Sequence, residues 1–182
     1  MSNKILIDFS QIALACVFQF KDELRKNQDK IQGLLYHVIL QTIIAHKKKL
    51  KGDIVLAVEG RKNWRKEYFP FYKANRAKNR EADDFPWDKV FPIINELVDE
   101  IDSKFPWKVV KVDESESNDI IAVVTKYHQE SMLEYSDISI VSSDHDYYQL
   151  HSYPGVKQFC PQKKKLIKIE KSKVPELIVD IS

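Results

Sequence analysis

Hydrophobic positions along this chain fall into two alternating kinds of run. Short, continuous, β-branched runs occupy residues 4–8, 54–59, 107–112 and 138–141. The first, apolar on both faces, predicts a central strand of a parallel sheet, and the other three predict further strands beside it. Between them the apolar positions recur at helical spacing. Ile31, Leu34, Leu35, Val38, Ile39 and Ile43 give one face of a long helix over residues 31–50. Other helices are predicted over residues 11–20 with Ser10 as N-cap, over 88–104 with Pro92 in the opening turn, and over 116–130. The charged stretch 21–30 reads as a loop. Residues 156–160 and 166–169 read as a hairpin whose turn is marked by Lys163, Lys164 and Lys165, and residues 174–181 form a last apolar stretch. Strand and helix alternate, so the expected fold is α/β: a mostly parallel central sheet flanked by helices, with right-handed crossovers.

Composition narrows this picture. The chain has 182 residues, 43% hydrophobic and 31% charged, enough for one domain over 1–182 with a real core. A net charge of +2 means that any affinity for a polyanion must come from a local patch. Cys16 and Cys160 are the two cysteines, far apart and outside metal-type spacing, so a reducing, cytoplasmic setting is the expectation. Asp8 interrupts the first apolar run, which spoils a signal peptide, and no run approaches the ~20 residues of a membrane span. The four glycines build no phosphate-cradling loop.

Acids change the picture more. Each of the four strands runs into carboxylates: Asp8, then Glu59, then the cluster from Asp113 to Asp119, then Asp144 with Asp146. One acid after a strand is ordinarily a cap or turn residue. Acids after all four share the edge where ligands of open parallel sheets bind. Asp144 and Asp146, two apart on an extended chain, would face one volume, with His145 pointing away. Glu116 and Asp119 would share the dipole-positive end of a helix. Converging carboxylates need compensation, and oxygen-only ligands suit Mg²⁺ or Mn²⁺. The matching chemistry is phosphodiester hydrolysis with two ions ~4 Å apart, one activating water and one steadying the leaving oxygen.

Residues 61–80 carry eight basic and five aromatic side chains with one acid. Arg65, Lys66, Lys73, Arg76 and Arg80 can neutralise phosphates, and rings such as Tyr72 offer stacking platforms. Tyr72, Lys73 and Arg76 are spaced to share one helical face. Lys47, Lys48 and Lys49 end the long helix. They read first as a solvated, dipole-complementing terminus, and as a phosphate contact only in the sharper reading.

The segments 6–14, Trp64-Arg65, 72–76, 116–123 and 142–146, in that order, resemble the phage 5′-nuclease or flap endonuclease family. The resemblance implies a PIN-like nuclease domain with a helical arch insert over about residues 61–87 and two Mg²⁺ or Mn²⁺ ions. It implies Asp8, Glu59, Glu116, Asn118, Asp119, Asp144 and Asp146 as ligands, directly or through water. Lys73 and Arg76 would contact the scissile phosphate. It further implies a 5′–3′ exonuclease or flap endonuclease of ribonuclease H type, removing primers in phage replication. The implied partners are DNA or RNA–DNA with a 5′ end, flap or junction, and replication proteins such as a single-strand-binding protein, with no membrane.

Three departures weigh against full activity. Glu59 stands where the family has Asp, and Asn118 replaces an acid of the Glu-Ala-Asp-Asp motif. The resemblance also implies a helix–three-turn–helix module with a further acidic pair for the second ion, and that module is expected to be absent here. The alternative expectation is therefore a catalytically impaired, structure-specific nucleic-acid-binding module, or half of a split nuclease whose companion chain supplies the missing module. A plain PIN-type ribonuclease is a third option, against which the long basic insert and the Asp144–Asp146 pair speak.

Overall fold

The computed structural model describes residues 3–81, 83–131 and 137–169. Strands β1 (Lys4–Asp8), β2 (Asp53–Val58), β3 (Lys108–Lys111), β4 (Ile138–Val141), β5 (Val156–Cys160) and β6 (Lys165–Ile167) form one six-stranded sheet in the order β3-β2-β1-β4-β5-β6. All neighbours pair in parallel except β6, which returns antiparallel beside β5. This is the mostly parallel sheet and terminal hairpin that the hydrophobic runs predict.

Alternation along β1 sorts the core into two layers. Ile5 and Ile7 point to the side packed by α1 (Phe9–Gln19), α3 (Ile31–Leu50) and α6 (Trp87–Lys104). Leu6 points to the other side, against Ile120 and Ile121 of α7 (Ser117–Ser131) and against Tyr147 and Leu150. Burying each such side chain stabilises the fold by roughly 1.5–3 kcal/mol. Because β1 is central and covered on both faces, its last residue, Asp8, is delivered to a fixed place.

Several local expectations need correction. Helix α1 begins at Phe9 rather than after Ser10, because the Asp8 side chain itself accepts the Gln11 N–H and caps the helix. Residues 21–30 are not a loop. They form α2 (Lys21–Lys26) and a short 3₁₀ turn (Gln28–Lys30), anchored by fully buried Leu24. Acids in the first turn of α2 and bases in its last suit the helix dipole, which is why a charged stretch can be helical here. Pro92 lies in the second turn of α6 rather than its first. Within the insert, α4 (Arg65–Tyr68) and α5 (Ala74–Glu81) are separate, and Tyr72 and Lys73 belong to the turn between them. Tyr72, Lys73 and Arg76 therefore do not share one helical face. The apolar stretch 174–181 lies outside the described residues.

Candidate carboxylate and nucleic-acid site

The candidate acids leave the sheet from one edge. Asp8 ends β1, Glu59 follows β2, Glu116 precedes α7, and Asp144 and Asp146 follow β4. Ile7 pairs with both Leu56 and Val141, so Asp8 stands level with Ala57 and beside Ser142. Gly60 lets the loops after β2 and β3 touch. A Cβ there would sit 2.4 Å from the Val112 carbonyl oxygen, and its N–H donates to the Ser115 carbonyl at 2.9 Å. That approach sets Glu59 near Glu116.

One side of the edge is a hydrogen-bonded chain. Asp8 is 5% exposed. Its Oδ2 accepts from the Tyr147 hydroxyl at 3.1 Å and lies 3.4 Å from Ser142 Oγ. The Tyr147 hydroxyl is also 2.9 Å from Asn118 Oδ1, so it bridges Asp8 and Asn118. Asn118 Nδ2 in turn donates to Asp146 Oδ2 at 3.1 Å and lies 3.5 Å from Asp144 Oδ2. Burial pushes the Asp8 carboxyl above the usual carboxylate range, and the Asp144 charge adds to the rise against the hydrogen bonds from Gln11 and Tyr147. Glu59 is also raised, by burial of its carboxyl and then by the charges of Asp8 and Glu116, although the residue as a whole is reached by solvent. Solvent access makes that rise partial, and Lys73 and Arg76 oppose it.

Asp144 and Asp146 do not alternate along an extended strand, as the spacing suggests. Asp144 Oδ1 accepts the Asp146 N–H at 3.1 Å and caps a 3₁₀ helix over His145–Ser152. The two carboxylates still meet one donor, because the tight turn folds Asp146 back toward Asn118. Gln158 Nε2 clamps this turn through the carbonyls of Ser142 at 2.9 Å and Asp144 at 2.7 Å. His145 is exposed.

The other side of the edge is ion-paired. Glu116 is 7% exposed and accepts from Lys73 Nζ at 2.7 Å, from the Tyr72 hydroxyl at 3.0 Å and from Asn63 Nδ2. Arg65 holds Asp119 in a two-pronged bond, both distances 2.7 Å, and lies 3.8 Å from Glu116. Asp119 also accepts the Glu116 N–H at 3.0 Å, closing the first turn of α7. The Arg65 hydrogen bond draws the Asp119 carboxyl below its usual value, and Asp119 raises Arg65 further. Burial works to lower Lys73, but its bonds to Glu116 and Tyr72 outweigh that and leave it raised. Lys73 has φ +54°, a left-handed conformation costing on the order of 1 kcal/mol, which the ion pair offsets.

Basic residues of the insert stand above this edge. Lys73, Arg76, Arg80 and Glu59 line both of two neighbouring cavities of about 520 and 600 Å³. Lys66 lines the first, and Asp8 and Asp144 line the second. Arg80 lies over the Phe91 ring at 5.3 Å. Tyr68, Phe69 and Phe71 are 57–81% exposed.

Among the described residues, no three of His, Cys, Asp and Glu come together as a group that could hold a metal ion. The acids share an edge, but Glu116 and Asp119 already carry cationic partners and Asn118 stands between Asp144 and Asp146. As arranged, they do not fit the two-ion cage that the sequence suggests. Sequence reasoning also missed Tyr147, Asn63 and Gln158. Tyr147 directly follows Asp146, and a hydroxyl-bearing residue next to the acid motif was the available signal. Asn63 and Gln158 gave none, since their roles depend on loop packing and strand pairing.

A family model described as 5′–3′ exonuclease, N-terminal resolvase-like domain, matches residues 3–178. The Ribonuclease H of Enterobacteria phage T4 is 38% identical over 172 residues, covering 91% of this chain and 54% of that protein. The chain thus spans about half the length of that relative. Among solved structures, one of the phage T5 flap endonuclease with DNA and metal ions aligns over 97% of this chain and 64% of that one, with a TM-score of 0.70 and 16% identity. A T5 5′-exonuclease with bound zinc ions aligns over 94% of this chain and 59% of that one, with a TM-score of 0.66 and 18% identity. Those two likenesses concern the fold, and no helix among the described residues is long and apolar enough to cross a membrane. On the family match and the T4 relative together, the chain belongs to the 5′–3′ exonuclease N-terminal, resolvase-like domain family.

Proposed function

We propose that this chain is a 5′-nuclease-type core that binds DNA or RNA–DNA with a 5′ end, flap or junction, and whose hydrolytic site is held shut. The observation that carries this reading is the pairing of Arg65 and Lys73, both from the insert, with Asp119 and Glu116. Those acids are spoken for, and the basic groups that would meet phosphate are spent in part on the same bonds. Arg76 and Arg80 line both cavities without an ion pair among the described residues and supply the phosphate contacts. Exposed Tyr68, Phe69 and Phe71 supply stacking faces for unpaired bases. In a two-chain nuclease, a companion contributing further acids would complete the site.

A second reading, the Mg²⁺-dependent nuclease, is favoured by one observation. Asp8 and Glu59 are both raised, in part by neighbouring acids, a strain that a divalent cation would relieve. Incubation with a 5′-flap or RNA-primed duplex in Mg²⁺ or Mn²⁺ separates the two. Salt-dependent binding with no more cleavage than Asp144→Ala/Asp146→Ala supports the shut site. Cleavage lost in that double variant overturns it in favour of the nuclease, and no binding at all removes both.

A further inference from the structure

Two lysine runs far apart in sequence meet on one surface beside the site. Lys47, Lys48 and Lys49 end α3, and Lys163, Lys164 and Lys165 form the turn and start of β6. All six are exposed. Lys49 joins the runs: its Nζ lies 4.2 Å over the Phe159 ring of β5 and 3.5 Å from the Lys164 carbonyl oxygen. The His46 ring packs on the same Phe159 at 5.5 Å. His46 is pushed down by burial and then by the Lys49 charge. None of the six lysines is in an ion pair among the described residues, whereas Lys4, Lys21 and Lys157 each hold an acid. Gathering like charges without acids costs stability unless a polyanion arrives.

The geometry points to this surface as a docking site for the phosphate backbone of a nucleic-acid duplex, an inference that rests on the proposed nucleic-acid function. Two features choose duplex over single strand. The insert mixes bases with exposed rings, as single-strand binders do. Among the described residues, the two lysine runs present no exposed ring, since Phe159 is 3% exposed beneath Lys49. A ring-free cationic face reads backbone charge alone. The surface also continues into the site: Gln162, next to Lys163, lines the cavity that holds Asp8 and Asp144. A duplex lying on the lysines would therefore reach the acids with its end, and the insert would take the unpaired strand.

The test compares the unaltered chain with Lys47→Gln/Lys48→Gln/Lys49→Gln and with Lys163→Gln/Lys165→Gln. Fluorescence anisotropy with a short blunt duplex, a single-stranded oligonucleotide and anionic vesicles gives the readout, and melting temperature checks folding. Each variant is expected to bind duplex about tenfold more weakly, with a salt slope shallower by ~0.9 for each phosphate no longer neutralised. Single-strand binding stays within about twofold. Folded variants that keep full duplex affinity and salt slope overturn the inference, as does loss of vesicle binding with duplex binding intact. In either case binding of flaps by the unaltered chain still supports the functional reading, so the two failures can be told apart.

Discussion

Glu116 and Asp119 on one side of the acidic edge differ from Asp8, Asp144 and Asp146 on the other in what neutralises them. The first pair is met by charge: Arg65 and Lys73 come down from the insert onto them. The second group is met by neutral donors, the Tyr147 hydroxyl and the Asn118 amide. The carboxyls respond in opposite senses, Asp119 lowered and Asp8 raised. A shared position on a sheet edge therefore does not make one site. What the neighbouring loops bring decides whether an acid is closed or left wanting a cation.

The largest effect should come from opening the closed side. Arg65→Ala/Lys73→Ala leaves buried Glu116 with only Asn63 and Tyr72. After allowance for solvent at these partly exposed bases, the destabilisation is about 2 kcal/mol. Urea unfolding reads it, and an unchanged midpoint would show that the ion pairs do not hold Glu116 and Asp119 closed. Tyr147→Phe acts on the other side. It removes the hydroxyl shared by Asp8 and Asn118 and costs about 1.5 kcal/mol by the same measurement.

Asn118→Asp sharpens the contrast further. It exchanges a bridging donor for a third acid beside Asp144 and Asp146, so stability in chelator falls by about 1 kcal/mol. Millimolar Mn²⁺ should restore it by binding the folded state. A fall in stability without recovery would mean that this side cannot accept a cation either.

Smallest is the pH response, and its sign differs between the sides. Asp119 is depressed in the fold, so its contribution is present above the ordinary carboxylate value and lost as pH falls through its folded pKa. Asp8 is raised, so stability is greatest below its ordinary value and declines as pH rises through its folded pKa. In melting curves from about pH 3 to about pH 8, Asp119→Asn should flatten the acid-side decline and Asp8→Asn the decline at higher pH. Both variants acting in the same direction would contradict the division.

Much of this fold is legible in the sequence because parallel strands advertise themselves as short, two-faced apolar runs. Strands β1, β2 and β4 lie at their expected places for that reason, and the 31–50 helix does so because its apolar positions recur at helical spacing. Residues 21–30 misled because their charge hides a single buried anchor, Leu24. The acids were legible as a set, but their separation was not. It depends on loops pressed together at Gly60, on a left-handed Lys73, and on a 3₁₀ turn after Asp144. None of these has a periodic signature.

The most direct measurement is a calorimetric titration of Mn²⁺ into the unaltered chain and into Arg65→Ala/Lys73→Ala. If the ion pairs close half of the edge, removing them tightens Mn²⁺ binding by about tenfold or more, roughly 1.4 kcal/mol. Equally tight binding in both would contradict the closed side and return all the acids to a single cation site.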